Sequence, residues 1–462
     1  MALSAIGIGL GFRGNAKPQT ERPVIAEKGL PSIRKRYTAY ADEGARLTDA
    51  CMTTYWDASS RMYRAPVLSA ETVPSDGGHD RGYVLWPSLI AIHTLIEGEA
   101  HSPGKYTKRI AEVYAGLEQY FSEDLQAYTA WMRFPENIDA YYDDNAWVVI
   151  ILVEAHLACR KHDGAGASKY LARAKAVMAN YLVKGWDDTG HPGGMRWGYD
   201  PAKPNTSDRG TSSTAGSALA AMMLARAGVD TAHYTQWGLS LLDWLKTNLT
   251  DADGLVMDAM EKSGDVWKAR TIKWSYNTGV PMRAYIEHYR LTKSADSLAM
   301  AEKLARAAIK RDGALFDQTP HDPDKRFYWD GTYFVQYLVD GLVHVAATTH
   351  DRALSAAIAA AVVRNTEYAH NYLRDATDGF YWRNWRLYTI GEAQLDTWQK
   401  WTGQTAHAEF DASERSQEKR YQALPVKDRP LVKTLLANAG AARLFWLSSR
   451  LPGTPGEGAP DH

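Results

Sequence analysis

Two adjacent aspartates, Asp143 and Asp144, are the residues of this chain best suited to chemistry. They follow Tyr141 and Tyr142 and lead through Trp147 into an apolar run. Neighbouring carboxyl groups repel each other when both are charged, so one of the two pKa values should rise and the groups should titrate as a coupled pair. One ionised and one protonated carboxyl group is what the hydrolysis of a glycosidic bond requires.

A structural role for the same pair is the main alternative. Aspartate is favoured in the first turn of a helix, because its carboxylate accepts free backbone N–H groups and complements the helix dipole. Capping needs only one carboxylate, however, and three aromatic residues crowd this pair. Neighbouring Cα atoms lie about 3.8 Å apart, so the carboxyl groups can sit about 5 Å apart, as in retaining glycosidases, rather than about 6.5 to 9.5 Å apart, as in inverting ones. A catalytic pair would therefore predict retention, but the spacing leaves open which aspartate takes which role.

Other constellations offer less. Asp187 and Asp188 form a rival pair, but the turn-like segment 191–194 follows them. Asp251-Ala252-Asp253-Gly254 and Asp322-Pro323-Asp324 lack the remaining ligands of a calcium loop and are interpreted as turn acids. The chain contains no HExxH motif, no P-loop, no GxGxxG after a predicted strand and no GxSxG elbow. Cys51 and Cys159 lie in predicted helices without zinc-ligand spacing and are expected to be buried thiols. We expect no metal and no cofactor.

The elements that must position these residues are helices. Apolar residues at i, i+3, i+4 and i+7, broken by Gly, Pro, Asn and Asp, predict about twelve helices and little that alternates like a strand. The predicted spans are 32–54, 81–99, 105–122, 142–161, 165–184, 211–227, 230–248, 274–292, 294–311, 330–348, 351–374 and 429–449. The charged segment 406–427 is predicted to be solvated and is compatible with a further helix.

The connections between the helices predict the architecture. A segment of about 20 to 55 residues follows each odd-numbered helix and a short turn follows each even-numbered one, so the helices pair as six antiparallel hairpins. This arrangement predicts an all-α (α/α)6 barrel with the long loops on one face. The even-numbered helices carry small residues, as in 212–218 and 436–442, and should form the inner ring. Their N-termini, including the aspartate pair, should then lie at the long-loop face.

Several even-numbered helices begin with aromatic, amide or acidic side chains that should converge beside the pair. Capping or loop packing accounts equally well for any one of them, but less well for the set. The candidate substrate-binding residues at these starts and in the preceding loops are Trp86, Tyr142, Arg196, Trp197, Trp274, Tyr276, Asn277, Asp330 and Tyr333.

Composition supports a sugar ligand and argues against several partners. The 462 residues include 16 Trp and 26 Tyr, and aromatic rings with polar edges stack on the flat faces of sugars. The net charge of -1 provides no basic excess for nucleic acid, and no apolar run is long enough to span a membrane. We expect a monomer with one catalytic domain over 32–450, an N-terminal extension over 1–31 and a disordered tail over 451–462. The apolar start at 2–12 is compatible with a signal-peptide remnant or with a disordered start.

The segment Tyr141-Tyr142-Asp143-Asp144-Asn145-Ala146-Trp147 resembles the paired-aspartate signature of glycoside hydrolase family 76, the endo-α-1,6-mannanases. The resemblance covers roughly residues 35 to 450. Other segments similar to the family follow in the same order: Gly193-Gly194 with Trp197, 211–218, Trp274-Ser275-Tyr276-Asn277-Thr278-Gly279 and Asp330-Gly331-Thr332-Tyr333-Phe334. Thr278 stands where the family usually has Gln, and Asp330 where Lys is common.

The resemblance implies an (α/α)6 barrel that cleaves α-1,6-mannosidic bonds in α-mannan or manno-oligosaccharides with retention. It also implies the order of the two roles, with Asp143 as the nucleophile and Asp144 as the acid/base. It favours a secreted, periplasmic or cell-surface protein, while the sequence alone leaves a cytoplasmic location open. Three alternatives remain at this stage: a transglycosylase that remodels mannan, a non-catalytic glycan-binding protein, and a sugar epimerase or unsaturated-uronyl hydrolase on the same fold.

Overall fold

The computed structural model describes residues 33–64, 75–76, 79–80, 83–131, 139–187, 192–198, 208–416 and 418–452. The predicted N-terminal extension and nearly all of the predicted tail lie outside these residues, as do Asp188 and His191 of the rival site. None of the helices in the described ranges has the length and apolarity that crossing a membrane requires.

Thirteen α-helices account for most of the described chain. They are α1 (Ile33–Tyr55), α2 (Leu85–His101), α3 (Thr107–Leu117), α4 (Tyr142–Cys159), α5 (Gly164–Asn180), α6 (Thr211–Arg226), α7 (Thr231–Asn248), α8 (Ser275–Thr292), α9 (Ala295–Ala308), α10 (Thr332–Thr348), α11 (Arg352–Tyr368), α12 (Glu392–Thr402) and α13 (Leu435–Ser448). All twelve predicted helices are present, and α12 is an additional one. A π-helical turn, Ala369–Leu373, extends α11.

Six of these helices form a closed inner ring. Helix α2 packs against α4, α4 against α6, α6 against α8, α8 against α10, α10 against α13, and α13 against α2. Helices α1, α3, α5, α7, α9 and α11 lie outside the ring, each against its partner in a hairpin or against its neighbour in the ring. The predicted (α/α)6 barrel is confirmed, with the predicted helices as the inner ring.

The inner helices are buried on most sides because protein surrounds them, and several are rich in apolar and small residues. Small residues allow backbones to approach closely where helices cross. A Cβ atom on Gly279 would lie 2.4 Å from Cα of Leu338, and one on Gly440 would lie 2.7 Å from the backbone nitrogen of Tyr333. Any side chain at either position would therefore push two inner helices apart.

Short strands lie in the long connections between the helices. They are β1 (Trp56–Asp57), β2 (Met62–Tyr63), β3 (Ser75–Asp76), β4 (His79–Asp80), β5 (Phe121–Ser122), β6 (Ala127–Tyr128), β7 (Trp186–Asp187), β8 (Gly194–Met195), β9 (Arg209–Gly210), β10 (Ala259–Ser263) and β11 (Val266–Arg270). The strands pair antiparallel as β1–β2, β3–β4, β5–β6 and β7–β8, and β10 pairs with both β11 and β9. The near absence of strands expected from the sequence holds for the barrel but not for these loops.

The charged segment 406–427 is for the most part exposed or partly exposed in its described residues, as predicted, but it differs from its prediction at Glu414 and Arg415. It contains only short 3-10 turns, and both Glu414 and Arg415 are buried. Glu414 accepts a hydrogen bond from the backbone N–H of Asn384 at 2.5 Å, and Arg415 donates to the carbonyl oxygen of Ile390 at 2.9 Å. These polar side chains are buried because they satisfy the backbone of another loop, which a pattern of charges in sequence does not reveal.

The interior of the barrel is layered. The aspartates lie in the first turn of α4, and one turn deeper Trp147 stacks on Tyr337 of α10 with ring centroids 4.6 Å apart. Below this pair, buried charges link the inner helices. Arg283 contacts Glu287 and Asp340 at 2.8 Å each, and Arg443 contacts Asp340 at 3.2 Å. The end with long loops and the end with short turns are therefore separated by an aromatic layer and a charged one.

Candidate active site

The aspartate pair lies at the long-loop end of the barrel. Tyr141 is extended, with φ −114° and ψ 142°, and its side chain does not cap α4, so the first backbone N–H groups of the helix need other partners. The backbone N–H of Asp144 donates to Oδ1 of Asp143 at 3.0 Å. Asp143 thus serves its own helix in part, as the structural alternative expects. Both residues are partly exposed, while their carboxyl groups lie largely enclosed by protein.

Two donors from other parts of the chain face Asp143. The indole Nε1 of Trp197 donates to Oδ2 of Asp143 at 3.0 Å. The hydroxyl group of Ser212, at the start of α6, also faces this carboxylate and stabilises its charged form. Among the residues that the structure describes, none donates a hydrogen bond to the carboxyl group of Asp144.

The two carboxyl groups therefore differ in acidity. Burial raises the pKa of Asp143 to about 6, and the donors Ser212 and Trp197 oppose this rise. Burial, followed by the charge of Asp143, raises the pKa of Asp144 well above its ordinary value. The pair titrates together, and the geometry favours a state in which Asp143 is ionised and Asp144 holds the proton.

Trp197 is held over the pair by the loop that carries it. Its carbonyl oxygen accepts the backbone N–H of Tyr142 at 2.9 Å, and its ring lies 4.8 Å from that of Tyr141. The side chain is nevertheless 40% exposed, which is unusual for a tryptophan in this chain. An exposed indole beside two acids offers a flat surface to a ligand.

The starts of α2, α8 and α10 meet in an aromatic cluster around Phe334. Its ring centroid lies 4.5 Å from those of Tyr276 and Tyr333, 5.3 Å from that of Trp274 and 5.7 Å from that of Trp86. Tyr276 connects this cluster to the acids, because its hydroxyl group faces Ser212 and its pKa, raised mainly by burial, is raised further by Asp258 and Asp143. The structure thus brings together the candidates Trp86, Trp274, Tyr276 and Tyr333, and it links them to the pair.

The structure assigns other contacts to three further candidates. Tyr142 is buried, and its ring stacks on that of Tyr181 with centroids 4.6 Å apart. Arg196 precedes Trp197 in an extended segment, so its side chain points to the opposite face, where its guanidinium lies 3.7 Å from Asp187. Asn277 is fully buried with its amide facing Asp258.

The two positions that depart from the family pattern serve the scaffold. Asp330 is buried, and its Oδ2 accepts the backbone N–H of Ser275 at 2.7 Å, so it caps the start of α8. Burial raises the pKa of Asp330 to about 7. The hydroxyl of Thr278 accepts the backbone N–H of Val256 at 3.2 Å. Both side chains thus hold backbone near the site.

Sequence reasoning did not single out several neighbours of the pair. Asp258 is one of them: its Oδ2 accepts a hydrogen bond from Arg270 at 3.0 Å, and Arg270 also contacts Asp208 at 2.6 Å. Ser212 had appeared only as part of a small-residue helix, and Phe334 only as the last residue of a motif. Ser212 and Phe334 could have been found from the sequence, because both lie at the start of a predicted inner helix. Asp258 and Arg270 lie in a connection, and no local sequence pattern marks them as neighbours of the pair.

The rival acids have structural partners. Asp187 is buried and pairs with Arg209 at 2.7 Å. Asp251 and Asp253 both pair with Lys273, at 2.6 and 2.7 Å. These contacts agree with their interpretation as loop and turn acids. Cys51 and Cys159 are buried free thiols, as predicted.

Coupled carboxyl groups beside aromatic rings at one end of an (α/α)6 barrel are typical of glycoside-cleaving proteins. The comparison with known proteins gives the particular family. The model of glycosyl hydrolase family 76 matches residues 40–424, and the chain belongs to this family.

Three relatives illustrate the similarity. The meiotically up-regulated gene 191 protein of Schizosaccharomyces pombe is 27% identical over 422 residues, which are 89% of this chain and 92% of the relative. An α-1,6-mannanase of Salegentibacter, solved as an inactive variant with two adjacent aspartates replaced and with α-1,6-mannotetrose bound, has a TM-score of 0.64 at 16% identity and covers 89% of this chain and 99% of its own. Dfg5 of Chaetomium thermophilum, solved with glucosamine, has a TM-score of 0.60 at 17% identity, with 90% of each chain covered.

Proposed function

We propose that this protein is an endo-acting α-1,6-mannanase that cleaves α-mannan or manno-oligosaccharides with retention of configuration. The observation that carries this proposal is the asymmetry of the two carboxyl groups. Asp143 has two donors that favour its charged form, and Asp144 has none among the described residues. Family membership and the mannanase relative with bound α-1,6-mannotetrose support the substrate class.

In the proposed first step, a carboxylate oxygen of Asp143 attacks the anomeric carbon of a mannosyl unit. As the new C–O bond forms, the bond to the leaving oxygen breaks, and Asp144 gives its proton to that oxygen. In the second step, Asp144, now ionised, accepts a proton from water. The water oxygen attacks the same carbon and releases Asp143, so the two inversions give net retention.

The surrounding residues have roles that follow from their contacts. The indole N–H of Trp197 and the hydroxyl of Ser212 hold the nucleophile in one orientation and limit the rise of its pKa. We propose the exposed face of Trp197, together with Trp86, Trp274, Tyr276 and Tyr333, as the surfaces that contact sugar rings. Arg196, Asp330 and Tyr142 would act on the scaffold rather than on the substrate, because their described contacts are with protein groups. The amide of Asn277 is buried beside Asp258 and has no hydrogen-bond partner among the described residues, so its contacts leave a role toward the substrate open.

The test uses a panel of manno-oligosaccharides that differ only in linkage. The wild-type protein should cleave internal α-1,6 bonds in preference to α-1,2 or α-1,3 bonds, and proton NMR should show the α-anomer first. Asp143→Asn and Asp144→Asn should each fold normally and lose at least about a hundredfold in rate. Asp296→Asn, which changes an exposed aspartate in the first turn of the outer helix α9, is the matched control and should retain the rate. Near-native turnover of α-1,6-mannan by either Asn variant would refute the catalytic assignment.

The same intermediate can be intercepted by a sugar hydroxyl instead of water. Mass analysis of the products with and without an added manno-oligosaccharide acceptor therefore separates a hydrolase from a transglycosylase. Products longer than the substrate would indicate sugar transfer instead of hydrolysis. The proposed roles of the two aspartates would be the same in both reactions. Binding without any product would favour the glycan-binding alternative.

A further inference from the structure

A cavity opens at the end of the barrel opposite the aspartates. It has a volume of about 340 Å³ and lies among the C-terminal turns of the inner helices. At 1.5 Å per residue along α4, Arg160 at this cavity lies about 24 Å from Asp144. The stacked rings of Trp147 and Tyr337 and the buried charges beneath them lie between the two sites. The cavity is thus separate from the proposed substrate site.

Cations dominate one side of this cavity. Arg160 and Lys161 follow the end of α4, Arg226 is the last residue of α6, and Arg290 lies in the last turn of α8. Because α4, α6 and α8 are consecutive members of the ring, these four side chains form an arc, named here the cationic arc. Arg226 and Arg290 are each 26% exposed, and Arg160 and Lys161 are exposed. No carboxylate in the described part of the chain pairs with Arg160 or Lys161.

The carboxylates of the cavity are already engaged. Glu97 on α2 pairs with Arg443 and Arg450, and Glu154 pairs with His93. Glu99 accepts the backbone N–H groups of Gly104 and Tyr106 at 2.6 and 2.7 Å, which orders the turn before α3. The acids therefore lie on the α2 side or deep in the barrel, and the cationic arc faces the open side.

The side chains that line the cavity carry an excess of positive charge. Six arginine and lysine side chains line the cavity against three glutamates. Including Glu287, Asp340 and Arg443 directly behind the lining lowers the excess from three to two. The last carbonyl groups of the inner helices offset part of this charge, but their effect is confined to the last helical turn and is weaker at the exposed rim.

The imidazole of His344 lies close to the same positive charges. It lies in this cavity, where burial and then the charges of Arg283, Arg290, Arg450 and Arg226 hold its pKa well below the ordinary value. A neutral imidazole is what a local excess of guanidinium groups favours. Arg290 also contacts Nδ1 of His344 at 3.0 Å, so the cations of this cavity reach its interior as well as its rim.

We propose that the cationic arc binds a phosphate monoester, either of a free phosphorylated small molecule or of a phosphorylated lipid headgroup. Guanidinium groups present paired N–H donors that match the oxygens of phosphate, and an ammonium group adds a flexible point charge. The cavity volume lies within the range of small-molecule sites. Both sources share the doubly charged phosphate that the arc would recognise.

The test is isothermal titration of the full-length protein with inorganic phosphate and with glucose 6-phosphate at constant ionic strength. Both should bind, and glucose should not bind at this site. Arg160→Glu combined with Lys161→Glu should weaken the binding of both phosphates at least about tenfold, since it reverses two of the four charges of the arc. Lys175→Glu combined with Lys246→Glu, which reverses two exposed lysines on the outer helices α5 and α7, is the matched control and should change binding less than about twofold.

A parallel sedimentation experiment distinguishes the two sources. Co-sedimentation with vesicles that contain phosphatidylinositol 4-phosphate, but not with phosphatidylcholine vesicles, identifies the headgroup, and its loss in the Arg160/Lys161 variant confirms the arc. Binding of the soluble esters alone identifies a free phosphate. Absence of phosphate binding in both experiments, or equal binding by the arc variant and the control, overturns the proposal. Mannan cleavage by the arc variant should be unchanged, so this outcome is independent of the proposed activity.

Discussion

The two ends of the barrel bury carboxyl groups in opposite ways. At the short-turn end, Glu287 is fully buried and contacts three arginines, Arg283, Arg290 and Arg226. Although burial opposes ionisation, these charges lower the pKa of Glu287 to about 2. At the long-loop end, burial raises the pKa of Asp143 to about 6, and the pKa of Asp144 rises further. The same functional group is held in its charged form at one end and retains its proton more readily at the other.

This difference shows that the charges of neighbouring groups, rather than burial alone, determine whether a buried carboxyl group is ionised. Guanidinium groups compensate the acids at the short-turn end, so those acids hold helices together. The aspartate pair has an indole N–H and a hydroxyl as its main donors, and neither carries a charge. Weak compensation costs stability but leaves a proton available for transfer.

The largest expected effect comes from breaking the compensated end. Glu287→Gln should lower the free energy of unfolding by about 3–5 kcal/mol, because it leaves the buried Arg283 and the half-buried Arg226 and Arg290 without their shared carboxylate. Urea unfolding followed by circular dichroism measures this change. Asp396→Asn is the control: it breaks the exposed 2.6 Å pair with Lys400 and should cost less than about 1 kcal/mol. Equal losses in the two variants would contradict the comparison.

At the long-loop end, replacing the buried acids should raise the stability of the protein instead of lowering it. Because the folded pKa of Asp143 is raised above its unfolded value, the stability that it contributes is complete below pH 4 and is lost as the pH rises through about 6. Replacing both Asp143 and Asp144 by Asn removes this loss. At pH 8 the double variant should be more stable than the wild type by about 1–3 kcal/mol, and at pH 3 the two should be equally stable. A double variant that is less stable at pH 8 would show that the pair is a structural element.

The pH dependence of the reaction sharpens the contrast further. The ratio kcat/KM should rise with pH through an apparent pKa near 6 as Asp143 ionises, and it should fall at higher pH as Asp144 loses its proton. The two limbs belong to the coupled pair rather than to isolated residues. With an aryl mannoside whose leaving group needs little protonation, the alkaline limb should flatten. An alkaline limb that persists with this substrate would assign it to another group.

The smallest expected effect concerns one neutral donor. Trp197→Phe removes the indole N–H that faces Asp143, so the pKa of Asp143 should rise and the acidic limb should move up by about half to one pH unit. The rate at neutral pH should fall by less than about tenfold. Trp237→Phe, on the outer helix α7, is the control and should leave the acidic limb in place. An unchanged limb in Trp197→Phe would mean that the hydrogen bond does not tune the pair.

The helices of the barrel could be predicted from the sequence because their signals are local. Apolar periodicity and glycine punctuation predicted 142–161 and 211–227, and the structure has Tyr142–Cys159 and Thr211–Arg226. Helix α12 escaped prediction because it lies in a long connection and Trp398 is its only buried residue, so its apolar stripe is narrow. The β10–β11 hairpin had a usable signal in its Gly264-Asp265 turn, which links two strands in five-residue register.

The site could be predicted only in part. Its location followed from the aspartate pair and from the convergence of helix starts. The difference in acidity between Asp143 and Asp144 did not follow, because it depends on Trp197 and Ser212, which come from other segments of the chain. Sequence also does not show which way a helix-start side chain points: Tyr142 packs on Tyr181, and Asp330 caps a neighbouring helix.

The ring closes through a contact between the two ends of the described chain. Helix α13 packs against both α1 and α2, and the indole of Trp446 donates to the hydroxyl of Thr48 at 3.0 Å. During synthesis, the first hairpins must therefore wait for the last helix before their inner faces are covered. Contacts this distant in sequence form slowly, and uncovered apolar faces invite aggregation. Newly made chains should for this reason depend on chaperones until α13 is complete, and losing α13 should yield insoluble protein rather than a smaller barrel.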